Sequence, residues 1–181
     1  MPATSPGRSF RWTVAGARAP RSKASNWRWP PEVTAVMTLE TLLDRAQIEA
    51  VLMAYTTALD ERDWSALEDV FPTDASADYG VVGQFHGREA VIDVVRDFLQ
   101  RCGPTQHLLG NIRVNVQGDE AQARCYIQAT HAGIGKHLGQ TMTLWGEYRD
   151  RLERREEGWR ILHRELHVQH VVGDVGVQLR A

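Results

Sequence analysis

The chain has 181 residues, 43% of them hydrophobic and 24% charged, with a formal net charge of −2 and only two cysteines. That is the make-up of one ordinary globular domain with a sizeable core. No stretch reaches the roughly 18 to 20 uninterrupted apolar residues of a membrane helix, and no apolar signal core follows the basic start, so a cytoplasmic protein without a membrane partner is expected.

Charge is unevenly spread. Residues 1–36 carry six basic side chains (Arg8, Arg11, Arg18, Arg21, Lys23 and Arg28) against Glu32 alone, with Pro, Gly and Ser scattered and no period, which argues for a disordered extension. Met37 is followed at once by a clean helical pattern, which marks it as the expected translation start and leaves the arm without a function. Residues 37–181 then carry a net charge of −7, and an acidic body without a basic stripe does not suit nucleic acid. The domain is expected over 37–175, with a short tail at 176–181.

From Leu39, the apolar residues Leu42, Leu43, Ile48, Val51, Leu52, Tyr55 and Leu59 recur at three- and four-residue steps, one face of a helix ending near Asp60. Asp63 can cap a short second helix through Trp64, Leu67, Val70 and Phe71, which Pro72 stops. After the strand-like Asp74–Val82, Gly87 leads into a third helix with the stripe Val91, Val95, Phe98, Leu99 and Cys102, closed by Gly103 and Pro104. Beyond Thr105 the pattern is extended: strands over 105–117, 121–131, 140–153 and 158–172 with Gly-rich or charged turns between. Helices first and a hairpin-linked sheet afterwards predict an α+β fold, with helices covering one face of a curved, antiparallel sheet.

The histidines carry the first hint of a site. In the strand over 121–131, Ala121, Ala123, Cys125, Ile127 and Ala129 share one parity, and His131 continues that row toward the interior. Strict alternation with Ile112, Val114 and Val116 would turn His107 the other way. A β-bulge at Gly110 would bring His107 and Leu109 onto the same inner face as His131. Each ring alone could be a core histidine bonded to backbone. Two rings facing one interior lined by small alanines instead suggest a pocket. His163, His167 and His170 form another group, but on a strand His170 falls opposite the other two, and Cys102 and Cys125 lack ligand spacing, so no metal site is expected.

Tyr55-x4-Asp60, Arg62-Asp63-Trp64, Ala77-Asp78-Tyr79, Thr105-Gln106-His107 and Gly158-Trp159-Arg160 together resemble the SnoaL-like branch of the nuclear-transport-factor-2-like superfamily over Leu39 to Val172. The resemblance implies a cone-shaped fold in which three N-terminal helices pack on a strongly bent sheet around a deep pocket. It is closest to dehydratases. Scytalone dehydratase is similar at Asp60, at Tyr79, at His107 and at a second histidine one strand later, His131; bile acid 7α-dehydratase is similar at Tyr55, Asp60 and His107. Hexachlorocyclohexane dehydrochlorinase also resembles the chain, with an Asp–His dyad at Asp60 and His107 and a His-x3-Asn-x-Arg that includes Asn111 and Arg113. Leu59 replaces a tyrosine of scytalone dehydratase, and Met142 and Leu144 fall about where that enzyme has polar contacts, which implies a more apolar pocket. His131 stands where the bile acid enzyme has an acid.

This resemblance implies elimination of water from a β-hydroxy carbonyl compound, which needs a base, an acid and donors for the enolate oxygen, but no cofactor. His107 is the expected base and Asp60 its orienting partner, with Tyr55 and Tyr79 holding the carbonyl, His131 as the acid, and Asn111, Met142 and Leu144 as substrate contacts. Each has a bland rival: Asp60 can simply end the first helix, Tyr55 continues its apolar stripe, and Tyr79 can be an ordinary strand aromatic. Tyr55 and Asp60 lie about 140° apart around a helix, so they share a cavity only where it straddles the helix end. The expected substrate is an apolar cyclic molecule such as a polyketide, steroid or terpenoid. An isomerase with the same dyad, a non-catalytic ligand-binding or dimerisation module, and the small subunit of a ring-hydroxylating dioxygenase are the competing readings. A homodimer or homotrimer joined through the sheet is implied by the resemblance alone.

Overall fold

The computed structural model describes residues 37–177; the basic arm and the end of the tail lie outside them. The first helix, α1, spans Leu39–Glu61. The Thr38 hydroxyl caps its start by accepting the Thr41 N–H at 3.1 Å, and Arg62 ends it in a left-handed turn at φ 61°. Ile48, Leu52, Tyr55 and Leu59 form the buried stripe, as the periodicity predicts, whereas Leu42 and Leu43 of the first turns are exposed.

The expected second helix is a 3₁₀ turn over Ala66–Asp69. Asp63 does cap it, accepting the Ala66 N–H at 3.1 Å. The turn cannot lengthen, because the Val70 carbonyl accepts from the Ile161 N–H of the sheet at 2.9 Å and Pro72 follows. Leu67, Val70 and Phe71 are nevertheless fully buried, so the apolar signal was one of packing rather than of α-helix. The structure therefore has two α-helices among the described residues, not three N-terminal ones: α2 spans Arg88–Leu99 and follows the first two strands.

Those strands, β1 (Ser76–Asp78) and β2 (Gln84–His86), form a small hairpin; β3 (Thr105–Gln117), β4 (Glu120–Ala132), β5 (Thr141–Arg155) and β6 (Gly158–Gly173) are the long ones. The sheet order is β2-β1-β6-β5-β4-β3, antiparallel except where β1 runs parallel to β6. The result is an α+β fold on a curved, open six-stranded sheet. Register shifts at Gly110/Arg113, Trp145/Gly146 and Arg151/Leu152 introduce extra residues, and bulges of this kind bend a sheet around what lies on it. Gly146 is needed at one of them, since a Cβ there would lie 2.7 Å from the His167 carbonyl oxygen.

The second and third shifts have a further consequence. His163, His167 and His170 pair with Arg151, Glu147 and Trp145, so all three lie on the outer face of the sheet, and His170 is not opposite the other two as strict alternation suggested. On the inner face, α1 is fastened near its start by Asp44. This buried carboxylate accepts from Arg154 at 2.7 Å and from the Trp159 indole N–H at 3.2 Å, and Arg154 stacks on the Trp159 ring at 4.7 Å. The Arg154 bonds hold the Asp44 carboxyl below its ordinary range despite its burial. Asp44→Ala is expected to lower the unfolding free energy by about 2–3 kcal/mol, measured by urea denaturation; an unchanged midpoint and slope would count against this fastening.

Candidate active site

At its C-terminal end α1 is fastened again, by Asp60. One carboxylate oxygen, Oδ1, accepts from the Thr105 hydroxyl at 2.8 Å and lies 2.6 Å from His107 Nδ1, while Oδ2 accepts the backbone N–H of His107 at 2.9 Å. Burial alone would raise the Asp60 carboxyl's pKa, but the bonds from the His107 ring, its backbone and Thr105 outweigh it and hold the group below the ordinary carboxylate value. An ionised Asp60 has no proton to give, so Nδ1 is the donor. In the neutral ring Nε2 is then the acceptor, and it has no hydrogen bond among the described residues.

Arg62 supports this contact from below. Its left-handed backbone turns the chain so that the guanidinium donates to the Leu59 carbonyl, to the Thr105 hydroxyl at 2.8 Å and to the Gly103 carbonyl at 2.9 Å. Thr105 thus accepts from Arg62 and donates to Asp60. The sequence flagged Arg62 and Thr105 only as neighbours of the expected residues.

The bulge brings His107 inward. Between Gly110 and Arg113 β3 has one residue more than β4, so His107 and Leu109 share a face with Val114 and Val116, opposite Ala129, Ile127, Ala123 and Ala121. Asn111 supplies the positive φ of 47° that the bulge requires, a conformation Asn tolerates better than most residues. Its side chain is exposed, and no hydrogen bond joins it to Asp60 or His107 among the described residues. Arg113 points to the outer face, where it bonds Glu147 at 2.7 Å.

His131 ends the same inner row. Its ring stands edge-on to His107 with centroids 5.5 Å apart and to Phe98 at 5.2 Å, and Met142 lies directly across the β4–β5 ladder, with Leu144 two residues further, opposite Ala129. It is 3% exposed and its Nδ1 is buried without a hydrogen-bond partner among the described residues. Burial, reinforced by the neighbouring His107, pushes its pKa down to about 4. His131 is therefore neutral at pH 7 and can offer a hydrogen bond, but not the proton of a cationic acid.

Tyr55 and Tyr79 form a second cluster. Their hydroxyls are 3.4 Å apart, and Tyr55 also meets Phe71 and Tyr148 edge-on. Burial holds the phenols of Tyr79 and Tyr148 well above their ordinary range, so both keep their protons. The five expected residues thus fall into two groups, Asp60–His107–His131 and Tyr55–Tyr79, with no hydrogen bond or ring pairing between the groups among the described residues. Tyr55 and Asp60 are separated by about 7.5 Å along the axis of α1, with the small side chains of β4 facing them. Among the described residues no group of three or more His, Cys, Asp and Glu is placed to hold a metal. None of the described helices is long and apolar enough to cross a membrane.

A curved, mostly antiparallel sheet, with helices on its inner face and a carboxylate–imidazole contact at its edge, defines a small α+β protein of the open, curved-sheet type. The chain belongs to the SnoaL-like domain family, whose model matches residues 40–165. An uncharacterized protein of Mycobacterium tuberculosis is 32% identical over 133 residues, 72% of this chain and 88% of its own length. Among solved structures, an aromatic ring hydroxylase candidate from Novosphingobium aromaticivorans is 26% identical with a TM-score of 0.67, covering 74% of this chain and 94% of that one. A scytalone dehydratase candidate from the same species has a TM-score of 0.70 at 24% identity, over 76% of this chain and 92% of that one. The hexachlorocyclohexane dehydrochlorinase LinA-type3 of Novosphingobium barchaimii has 0.68 at 20%, over 77% and 96%. The last two are likenesses of fold.

The neutral His131 has a measurable consequence. Unfolding exposes the ring, which then takes up a proton below about 6.5, whereas the folded ring stays neutral down to about 4. Its contribution to stability is complete above pH about 6.5 and falls by about 3 kcal/mol as the pH drops to about 4. Unfolding free energies measured across that window should fall less steeply in His131→Gln than in the wild type; equal slopes would contradict the placement of this ring.

Proposed function

We propose that the protein is a cofactor-independent lyase of the dehydratase type, acting on an apolar cyclic molecule of polyketide, steroid or terpenoid character. The observation that carries this is the 2.6 Å contact between Asp60 and His107 Nδ1, which leaves Nε2 as an acceptor on the inner face. His107 takes the proton next to the substrate carbonyl. The electron pair moves toward the carbonyl oxygen, which the hydroxyls of Tyr55 and Tyr79 bind as charge develops. The proton held by His107 then passes to the departing hydroxyl, and water leaves as the carbon–carbon double bond forms. His131 hydrogen-bonds the leaving oxygen, which suits its neutral ring. Met142, Leu144, Leu109 and Phe98 supply apolar contact. Similarity of fold to a dehydratase candidate and a dehydrochlorinase, both eliminating by name, supports the reaction class.

An isomerase differs only in where His107 returns the proton, and the same geometry supports it. A non-catalytic module has no use for a carboxylate-oriented base on its inner face. The outer face exposes Leu108, Tyr126 and Val172, which supports a homodimer or homotrimer packed through the sheet.

Purified protein should convert members of a panel of cyclic β-hydroxy ketones to enones, followed by the new ultraviolet absorbance. Asp60→Asn and His107→Gln should each lower the rate by about 10²–10⁴-fold. Turnover that survives both substitutions would rule out the assigned base.

A further inference from the structure

One fully buried cation has no part in the reading above. Arg164 on β6 is fully buried, and its Nε and Nη2 donate to both oxygens of Asp150 on β5 at 2.7 and 2.8 Å. The two residues face each other directly across the β5–β6 ladder, both on the inner face. The guanidinium carbon lies 4.0 Å from the centroid of the Tyr55 ring and 4.1 Å from that of Tyr148. Those two rings are perpendicular, at 89°, so the cation is wedged into the corner they make. Its remaining nitrogen, Nη1, is buried with no hydrogen-bond partner among the described residues.

A fully buried ion pair is poor value for stability alone, since apolar residues of similar volume often do as well or better. A cation against the face of a phenol, however, draws electron density from the ring and strengthens its O–H as a donor. Tyr55 is that phenol, and its hydroxyl meets Tyr79 at 3.4 Å, longer than a strong hydroxyl–hydroxyl bond, so neither hydroxyl is saturated by the other.

We propose that Arg164, clamped by Asp150, is the positioning residue of the site: it fixes Tyr55 in place and strengthens the Tyr55–Tyr79 hydroxyl pair as the donor for an electron-rich ligand oxygen, such as an enolate or phenolate. This rests on the reading that Tyr55 and Tyr79 bind the ligand oxygen. It specifies a ligand with an acidic hydroxyl or enolisable carbonyl.

The test compares 2-naphthol with naphthalene, binding being followed by probe fluorescence. The two probes share an apolar ring system and differ by one hydroxyl, so their affinity ratio reports the donor pair, whereas loss of packing weakens both alike. Arg164→Met leaves Asp150 buried and unpaired and can fail to fold, so the double variant Arg164→Met with Asp150→Leu, which removes both charges, is measured beside it. Wild type should prefer 2-naphthol, and the double variant should lose about tenfold of that preference, with naphthalene affinity little changed. Tyr79→Phe should lose a similar share. If the double variant keeps the full preference while Tyr79→Phe loses it, Arg164 has no positioning role and the tyrosine reading stands. If wild type shows no preference, or Tyr79→Phe and Tyr55→Phe both keep it, the tyrosine reading falls and the role of Arg164 with it.

Discussion

One carboxylate closes the helix onto the sheet. β3 is an edge strand, and an edge strand presents backbone N–H groups that nothing in the sheet can satisfy. Asp60, in the last turn of α1, takes the N–H of His107, the hydroxyl of Thr105 and the His107 ring together. The anchoring of α1 and the orientation of the imidazole are therefore the same event. Asp44 repeats the device 16 residues earlier, about 24 Å along the helix, where it holds the far ends of β5 and β6 through Arg154 and Trp159. α1 lies across the inner face pinned at both ends by acids, and the helix that covers the site is also the helix that supplies Tyr55 and Asp60.

The sheet does the complementary work. Without the extra residue between Gly110 and Arg113, His107 would lie on the outer face, the side of Tyr126 and Gln128, and Asp60 could not reach its ring. The inner row of β4 is built largely of small side chains, Ala121, Ala123, Cys125 and Ala129. The chemistry follows from the environment of each ring rather than from the residue type: two histidines 5.5 Å apart differ because one has a carboxylate on Nδ1 and the other is buried, with Nδ1 left unpaired among the described residues. The SnoaL-like fold hosts many activities, so it is these contacts, not the fold, that carry the functional reading.

Much of this was legible in the sequence because it depends on local pattern. The long strands, both α-helices and the bulge at Gly110 could be read from alternation, three- and four-residue steps and a single glycine. Trp64 to Phe71 misled because burial and helical spacing coincide there, while the decisive facts, the Val70 carbonyl bonded to Ile161 and the stop at Pro72, lie partly in a strand 91 residues after Val70. His170 misled for a similar reason: the bulge opposite Trp145 has no glycine on β6 to announce it. Arg164 and Asp150 were not legible as a pair at all. Each is an unremarkable charge in a charged strand, and only the β5–β6 register puts the two face to face beneath Tyr55.

The most direct test of the Asp60–His107 contact is the protonation pattern of the His107 ring, read from imidazole 15N chemical shifts at neutral pH and assigned with His107→Gln. Expected is a ring carrying its proton on Nδ1, with Nε2 bare, and a loss of that preference in Asp60→Asn. A ring protonated on Nε2 in the wild type, or one indifferent to Asp60→Asn, would contradict the assignment of His107 as an oriented base.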